Sequence, residues 1–174
     1  GGSTYCAIAK STNIAATSTD GRTWTEHATM PSSTAWEDMC WNGSVFVAVG
    51  ADGVGAKSPD GITWTAITLP GGLGYFEVEA IGAFLVATAA GSTYGAYSND
   101  NGATWTQFTL PSVRDWKALV ASNGYFVAAG RASTAGAKIT LGLLGSTQTL
   151  SGIVSAECLQ SGLLSAGDID VTAL

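Results

Sequence analysis

The sequence has little charge, little proline and little cysteine, and each shortage excludes a class of protein. Only 11% of the 174 residues are charged, and 13 acidic residues outnumber 7 basic ones, for a net charge of -6. Such a chain is not expected to bind a polyanion, so we expect no nucleic-acid partner. The sequence has only 4 prolines and contains no Gly-X-Y repeat, which excludes a collagen-like fibre. The three cysteines lack CxxC spacing and lie in apolar runs, which favours small buried hydrophobic residues over a disulfide framework or a metal site: Cys6, Cys40 and Cys158.

The longest stretch without charge runs from Ala80 to Asn99 and is long enough to raise the question of a membrane helix. Glycine and polar residues interrupt it, and its counterparts elsewhere in the chain have the pattern of two strands and a turn. We therefore expect no membrane insertion. The start, Gly1 to Thr4, has no basic segment followed by an apolar core, which suggests a piece excised from a longer protein.

Glycine is abundant, at 23 residues, and favours turn-rich β structure. A repeated unit supports this, because three similar segments begin at Ser18, Ser58 and Ser98 and place tryptophans 40 and 41 residues apart. Each is followed by a proline six or seven residues after its Trp, and then by a mixed strand and a small apolar strand. A period of about 40 residues with several short strands per unit is typical of propeller blades.

The second unit shows the predicted order of strands most clearly: 36–41, 45–49, 55–58 and 63–67. The equivalent small apolar strands are predicted at 5–9, 84–89 and 125–130. A tight turn is needed between the third and fourth strands, where a carboxylate accepts hydrogen bonds from turn amides and glycine supplies a positive φ. The predicted structural turn residues are Asp20, Gly21, Asp60, Gly61, Asp100 and Gly102. The tryptophans that follow are predicted to pack as framework between neighbouring sheets: Trp24, Trp64 and Trp105.

These segments resemble the Asp box, or BNR repeat, of sialidases and related propellers, whose pattern is Ser/Thr-x-Asp-x-Gly-x-Thr-Trp. The copy at Ser98 to Trp105 matches in full, whereas the first two copies are one residue shorter between Asp and Gly. The resemblance implies an all-β propeller of four-stranded antiparallel blades over residues 1–131. In that family the motif is a structural turn remote from any active site, and it occurs in enzymes, lectin-like modules and assembly factors alike.

The strand count predicts about three and a half blades, because the chain enters at the second strand of one blade and leaves after two or three strands of another. Complete rings usually have four to eight blades. A truncated blade leaves unpaired strand edges, so we expect a fragment of a larger ring or an assembly with copies of itself or with other subunits.

The last forty residues depart from the repeat. Residues 132–148 are predicted as a linker with one possible strand at 138–144, and residues 149–174 as a helical segment with apolar residues at helical spacing from Leu150. The segment from Thr149 to Val154 and from Gly162 to Leu174 resembles a stretch of tail-tip or baseplate hub proteins of long-tailed bacteriophages. That resemblance implies a propeller attached to a virion tail protein, with the hub domain beyond this sequence.

The chemistry-bearing residues favour no catalytic reaction. Sialidase chemistry needs three arginines around a carboxylate, and one of the chain's three, Arg22, lies inside a predicted turn. The carboxylates Glu37, Asp38, Glu77, Glu79 and Asp115 occupy equivalent strands, where solvated faces or bonds to loop amides are their usual roles. We therefore predict no catalytic residues, no metal site and no cofactor.

Aromatic residues in the first strands are the remaining candidates for binding. In an acidic protein with few lysines they suit neutral or amino sugars, whose apolar faces stack on indole rings, although packing between blades is the alternative. The possible sugar-stacking residues are Trp36, Trp41, Tyr75 and Trp116. The expected function is a non-enzymatic structural and recognition module of a phage tail tip or baseplate, on the virion or outside the cell, in contact with tail subunits and with host-surface glycan. The alternative is a carbohydrate-binding or glycoside-hydrolase propeller fragment without a viral link.

Overall fold

The computed structural model describes residues 4–122, 125–131 and 140–144, and these form an all-β structure with two short 3-10 helices. The 3-10 helices lie at Ala51–Gly53 and Pro70–Gly72. The strands of the described residues are β1 Tyr5–Ile8, β2 Ala15–Ser18, β3 Thr25–His27, β4 Trp36–Trp41, β5 Phe46–Gly50, β6 Val54–Ser58, β7 Thr65–Thr68, β8 Tyr75–Ile81, β9 Phe84–Ala89, β10 Ser92–Ser98, β11 Thr106–Ser122, β12 Tyr125–Arg131 and β13 Thr140–Leu144.

The strands form successive antiparallel blades in chain order. Blade 1 contains β1 to β3, and blade 2 contains β4 to β7. The long strand β11 belongs to two blades, since residues 106–109 and 114 pair with β10 whereas residues 115–122 pair with β12. Blade 3 is therefore β8, β9, β10 and the first part of β11, and blade 4 is the second part of β11 with β12 and β13. This is the partial propeller of about three and a half blades that the repeat predicts.

Most predicted strand positions are confirmed to within two residues. The apolar strand at 84–89 has the predicted bounds, and Thr140–Leu144 is the strand expected near the start of the last forty residues. That strand extends the sheet of blade 4, so propeller structure continues into the predicted linker at 132–148. The predicted helix within 149–174 lies outside the described residues.

The first strand of blades 2, 3 and 4, called the inner strand below, carries a bulge at the same place in its repeat. The register shifts between Trp36 and Asp38 in β4, between Tyr75 and Glu77 in β8, and between Trp116 and Ala118 in β11. A bulge places two residues opposite one on the partner strand and re-aims the side chains beside it. The three inner strands therefore present equivalent side chains in the same direction toward their neighbours.

Three hydrophobic clusters lie between successive blades and hold them together. Phe46, Ala48 and Trp64 of blade 2 pack with Ala15 of blade 1, and partly buried Cys6 and Ile8 join them. The second cluster joins Val47 and Val49 of blade 2 to Leu85 and Ala87 of blade 3. The third joins blade 3 to blade 4: Val86, Leu110, Trp116, Leu119, Phe126 and Ala128. The strands β5 and β9 are buried on both faces because a blade lies on either side.

Candidate functional site

The three predicted turns fold alike. In the turn of blade 2, the Ser58 hydroxyl donates to Asp60 Oδ1 at 2.9 Å, and that oxygen also accepts the backbone N–H of Ile62 at 2.8 Å and of Thr63 at 2.7 Å. The Thr63 hydroxyl donates to the other oxygen, Oδ2, at 3.2 Å. The turn of blade 1 repeats these bonds around Asp20. The structural role predicted for these aspartates agrees with this geometry.

The longer turn of blade 3 accommodates its extra residue without losing the pattern. Asp100 Oδ1 accepts the N–H of Ala103 and of Thr104, both at 2.9 Å. The inserted Asn101 adopts a left-handed backbone with φ +58°, and Gly102 follows at φ +73°, close to the +71° and +78° of the other two turn glycines. The Asn101 side chain accepts a hydrogen bond from Asn42 of blade 2 at 2.8 Å. The extra residue thus adds a link between blades.

Hydrogen bonding keeps the turn carboxylates ionised. The N–H of Thr23 and the N–H of Thr63 are the largest causes that hold the pKa of Asp20 and of Asp60 below its usual value. For Asp100 the largest cause is the Thr104 hydroxyl, and its pKa is also well below the usual range. Because each carboxylate is a hydrogen-bond acceptor within its own turn, these groups serve structure.

The framework tryptophans do not share one environment. The Trp64 and Trp105 indoles donate to the carbonyls of Gly61 and Gly102 at 3.1 and 3.2 Å, and Trp64 is 8% exposed. Trp24 is 43% exposed, so the prediction that it packs between sheets is wrong. Its counterpart Trp64 is covered by blade 1, whereas no preceding blade among the described residues covers Trp24.

Three of the four possible sugar-stacking residues are core residues. Trp36 and Tyr75 start β4 and β8, Trp116 lies near the start of the blade 4 part of β11, and all three are buried. Their polar atoms donate to backbone carbonyls of Ser32, Pro70 and Ser92 at 3.2, 2.9 and 3.1 Å, in that order. A ring without an exposed face has no surface for a sugar, so the stacking interpretation is wrong for these three.

The fourth, Trp41, is half-buried and packs against Phe46, with ring centroids 4.6 Å apart. Sugar stacking at Trp41 stays a prediction.

Carboxylates beside the bulges link neighbouring blades. Asp38 of blade 2 accepts the backbone N–H of Val78 in blade 3 at 2.8 Å. Glu77, which follows the bulge of blade 3 as Asp38 follows that of blade 2, accepts the N–H of Leu119 in blade 4. The link does not continue beyond this pair, since Ala118 occupies the equivalent position in blade 4. Sequence reasoning placed these acids on equivalent strands but missed the contact with the next blade.

Among the described residues, the carboxyl groups whose pKa is raised lie on an inner strand. Burial, followed by the charges of Asp38 and Glu79, raises the pKa of Glu77 to about 7. Burial and Asp38 likewise raise the pKa of Glu79. Burial is the main cause that raises the pKa of the Cys40 thiol to about 12, with the charges of Glu79 and Asp38 adding to it. Cys40 is therefore a protonated, half-buried thiol at neutral pH.

Residues at the bulges add contacts between blades 1 and 2 and between blades 3 and 4. Glu37 forms an ion pair with Lys10 of blade 1, with 2.6 Å between Lys10 Nζ and Glu37 Oε1. The Lys117 ammonium lies 4.2 Å from the centroid of the Phe76 ring. Both contacts lie at the surface, where each contributes modestly. Within the described residues there is no group of three or more side chains suited to a metal ion, and no helix there is long and apolar enough to span a membrane.

Comparisons with known proteins agree with this architecture. A family described as the DUF6242 beta propeller domain matches residues 1–116, more than half of the chain. A solved structure of YCF48 bound to D1 peptide is 17% identical with a TM-score of 0.60, and the match covers 73% of this chain and 44% of that one. YCF48 from Cyanidioschyzon merolae is 17% identical with a TM-score of 0.57, covering 72% and 44%. The computationally designed Ika8 protein is 12% identical with a TM-score of 0.51, covering 72% and 42%.

These likenesses show the fold alone, and this chain spans less than half the length of the structures that it matches. No curated protein matches it.

Proposed function

The chain belongs to the DUF6242 beta propeller domain family, and on that premise we propose that it is a non-enzymatic structural and recognition module. The module acts by holding rigid blades together and presenting their surfaces to other proteins. The observation that carries this proposal is the use of the inner-strand carboxylates. Asp38 and Glu77 accept hydrogen bonds from backbone N–H groups of the next blade, so these two carboxylates hold neighbouring blades together.

The proposed setting is a phage tail tip or baseplate, on the virion or outside the cell. The resemblance of the segment that ends at Leu174 to tail hub proteins supports it, and the Asp-box likeness of the turns is compatible with an assembly factor. The proposed partners are other tail subunits, copies of this chain and host-surface glycan, with no nucleic acid, membrane insertion or cofactor. The bound peptide of YCF48 shows that a protein of this fold presents a surface to a peptide.

Locating the chain in particles tests the setting. Antibody against the propeller should label the distal end of tails in negative-stain electron micrographs of virions whose genome encodes this chain. Mass spectrometry of the purified particles should detect its peptides. Particles that lack the chain would contradict the tail assignment while leaving a recognition role outside the virion open to binding assays on a glycan array.

A second function is favoured by one observation, the raised pKa of Glu77 beside Asp38 and Glu79. Glycoside hydrolases use one protonated and one ionised carboxyl group across the scissile bond. Hydrolysis of a panel of oligosaccharides by the native chain, lost in Glu77→Gln and retained in the surface control Glu26→Gln, would establish this second function. Absence of hydrolysis in both is the expected result for a structural module.

A further inference from the structure

We propose that Asn42 is a site of spontaneous covalent modification, at which the backbone nitrogen of Gly43 attacks the side-chain amide and displaces ammonia. The reaction converts the asparagine into aspartate and isoaspartate through a cyclic imide. Asn42 lies in the turn 42–45 between β4 and β5, and its side chain reaches Asn101 of blade 3. The reaction depends on this chain alone and not on the setting proposed above.

Glycine after asparagine favours this ring closure, because glycine has no side chain to crowd the attacking nitrogen. The described residues contain two such dipeptides, Asn42–Gly43 and Asn101–Gly102. Since both have the same pair of residues, any difference in their reactivity comes from the fold.

The two glycine nitrogens differ in what surrounds them. Gly102 is buried, and its N–H donates to the Ser98 hydroxyl at 3.0 Å. A Cβ at Gly102 would lie 3.2 Å from a methyl carbon of Val47, so this turn is packed against blade 2. Gly43 is exposed, no atom beyond its chain neighbours lies within 4 Å of a Cβ built there, and its N–H has no hydrogen-bond partner in the part of the chain that the structure describes. Base from solvent therefore reaches the nitrogen of Gly43 but not that of Gly102.

The side-chain carbonyl of Asn42 lies in a pocket of two backbone donors. Its Oδ1 accepts the N–H of Ser44 at 2.9 Å and the N–H of Val45 at 2.8 Å. When the Gly43 nitrogen adds to Cγ, negative charge develops on this oxygen, and amides that already point at it stabilise that charge. Among the described residues, Asn101 Oδ1 accepts a single hydrogen bond, from Asn42 Nδ2. The fold thus assists the attack at position 42 and hinders it at position 101.

The reaction balances with water as its only co-reactant. A bond forms between Gly43 N and Asn42 Cγ, and the bond between Cγ and Nδ2 breaks. Nδ2 leaves as ammonia with the proton that the Gly43 nitrogen loses. Water then opens the imide at either carbonyl carbon, adding its hydroxyl to that carbon and its proton to the nitrogen. Opening at one carbonyl gives aspartate, and opening at the other gives isoaspartate.

The modification falls on a hydrogen bond between blades 2 and 3. Asn42 Nδ2 donates to Asn101 Oδ1 at 2.8 Å, and Asn42 is only 8% exposed. A carboxylate has no N–H to donate, so the link survives only when the Asn101 amide turns its NH₂ group toward position 42. The new charge is also poorly solvated there, which is costly for a buried group. Isoaspartate in addition lengthens the main chain of the turn by one carbon. The reaction therefore alters the contact between these blades as the protein ages.

Peptide mapping of the native chain after prolonged incubation at pH 8 tests the inference. Trypsin separates the two sites, since the peptide 23–57 contains Asn42 and the peptide 58–114 contains Asn101. Fragment mass spectra assign each change of amide to acid to one residue. Residue 42 should react at least about tenfold faster than residue 101, since oriented donors stabilise only its developing charge. Equal rates, or a faster reaction at residue 101, would overturn the inference.

The same chain unfolded in guanidinium chloride at the same pH is the matched control. Without the fold, the two dipeptides should react at similar rates. Unfolding should raise the rate at residue 101 and should not raise the rate at residue 42. A rate at residue 42 that is lower in the folded than in the unfolded chain would mean that its hydrogen bonds hold the amide away from Gly43, and the inference would be wrong.

Two variants at the same position sharpen the assignment. Asn42→Asp supplies the aspartate product as a chromatographic standard, and a second peak of the same mass in the aged native chain should be isoaspartate. Asn42→Gln keeps an amide but requires a six-membered ring with the Gly43 nitrogen, so its peptide 23–57 should remain unmodified over the same time. A glutamine variant that releases ammonia and gains mass as fast as the native chain would contradict attack by the Gly43 nitrogen.

Discussion

Blade 1 and blade 2 are built from the same repeat, and they differ in what covers them. Both have the same turn bonds around Asp20 and Asp60, and both place an apolar residue opposite the turn serine. Yet Trp24 is 43% exposed and Trp64 only 8%. The comparison teaches that local hydrogen bonds form each turn, whereas burial of its tryptophan comes from the neighbouring blade.

The largest expected effect is the loss of the covered tryptophan. Trp64→Ala removes a buried indole from the cluster between blades 1 and 2 and should lower the free energy of unfolding by about 3 to 5 kcal/mol. Trp24→Ala should lower it by only about 1 kcal/mol, since much less apolar surface is covered. Urea denaturation at submicromolar concentration measures both. Equal losses would mean that Trp24 is as well packed as Trp64.

The turn glycines provide a second matched pair. A Cβ at Gly61 would lie 3.0 Å from a Thr17 methyl carbon and 3.1 Å from the Cys6 sulfur of blade 1, whereas one at Gly21 would meet only the Tyr5 ring at 3.8 Å. Both have positive φ, which costs an alanine about 1 to 2 kcal/mol. Gly61→Ala should therefore destabilise more than Gly21→Ala, by about 1 kcal/mol in thermal unfolding. Identical melting shifts would show that blade contact adds nothing at this turn.

The turn aspartates should show a smaller contrast. Asp60→Ala leaves the Ile62 and Thr63 amides without their acceptor and should cost about 1 to 2 kcal/mol, based on these bonds. Asp20→Ala breaks the same bonds in a more exposed turn, where water replaces the carboxylate, and should cost less. Chemical denaturation of the two variants at pH 7 makes the comparison. A larger loss for Asp20 would indicate that blade coverage weakens the turn.

Both carboxylates should also lose their stabilising effect in acid. Their folded-state pKa lies below the unfolded value, so the contribution is present above about pH 4 and is lost as the pH falls through the folded pKa. The alanine variants should therefore approach the native chain in stability as the pH is lowered below about 4.

The sequence was sufficient for features that depend on neighbours along the chain. The strand at Phe84–Ala89 and the three aspartate turns follow from apolar patterning and turn chemistry. It was insufficient where the deciding partner lies a whole repeat away. Burial of Trp36 and the hydrogen bond from the Val78 N–H to Asp38, 40 residues apart, depend on how blades pack. A period of 40 residues identifies equivalent positions, but it does not show which of them lacks a neighbour.

The smallest expected effect concerns the inner-strand carboxylate Glu77. Among the described residues, blade 1 has no such carboxylate link to the next blade. The pKa of Glu77 is raised to about 7, so the folded chain binds more protons than the unfolded chain between about pH 4.5 and 7, and stability falls as pH rises through that window. Glu77→Gln keeps an acceptor for the Leu119 N–H and removes the charge. It should therefore raise stability at pH 8 by roughly 1 kcal/mol after solvent screening, with little change at pH 4.5. Glu26→Gln, on exposed β3 of blade 1, is the control and should leave the pH profile of the melting temperature unchanged. A Glu77→Gln variant that is less stable than the native chain at pH 8 would mean that the carboxylate charge strengthens the contact between blades 3 and 4 by more than its burial costs.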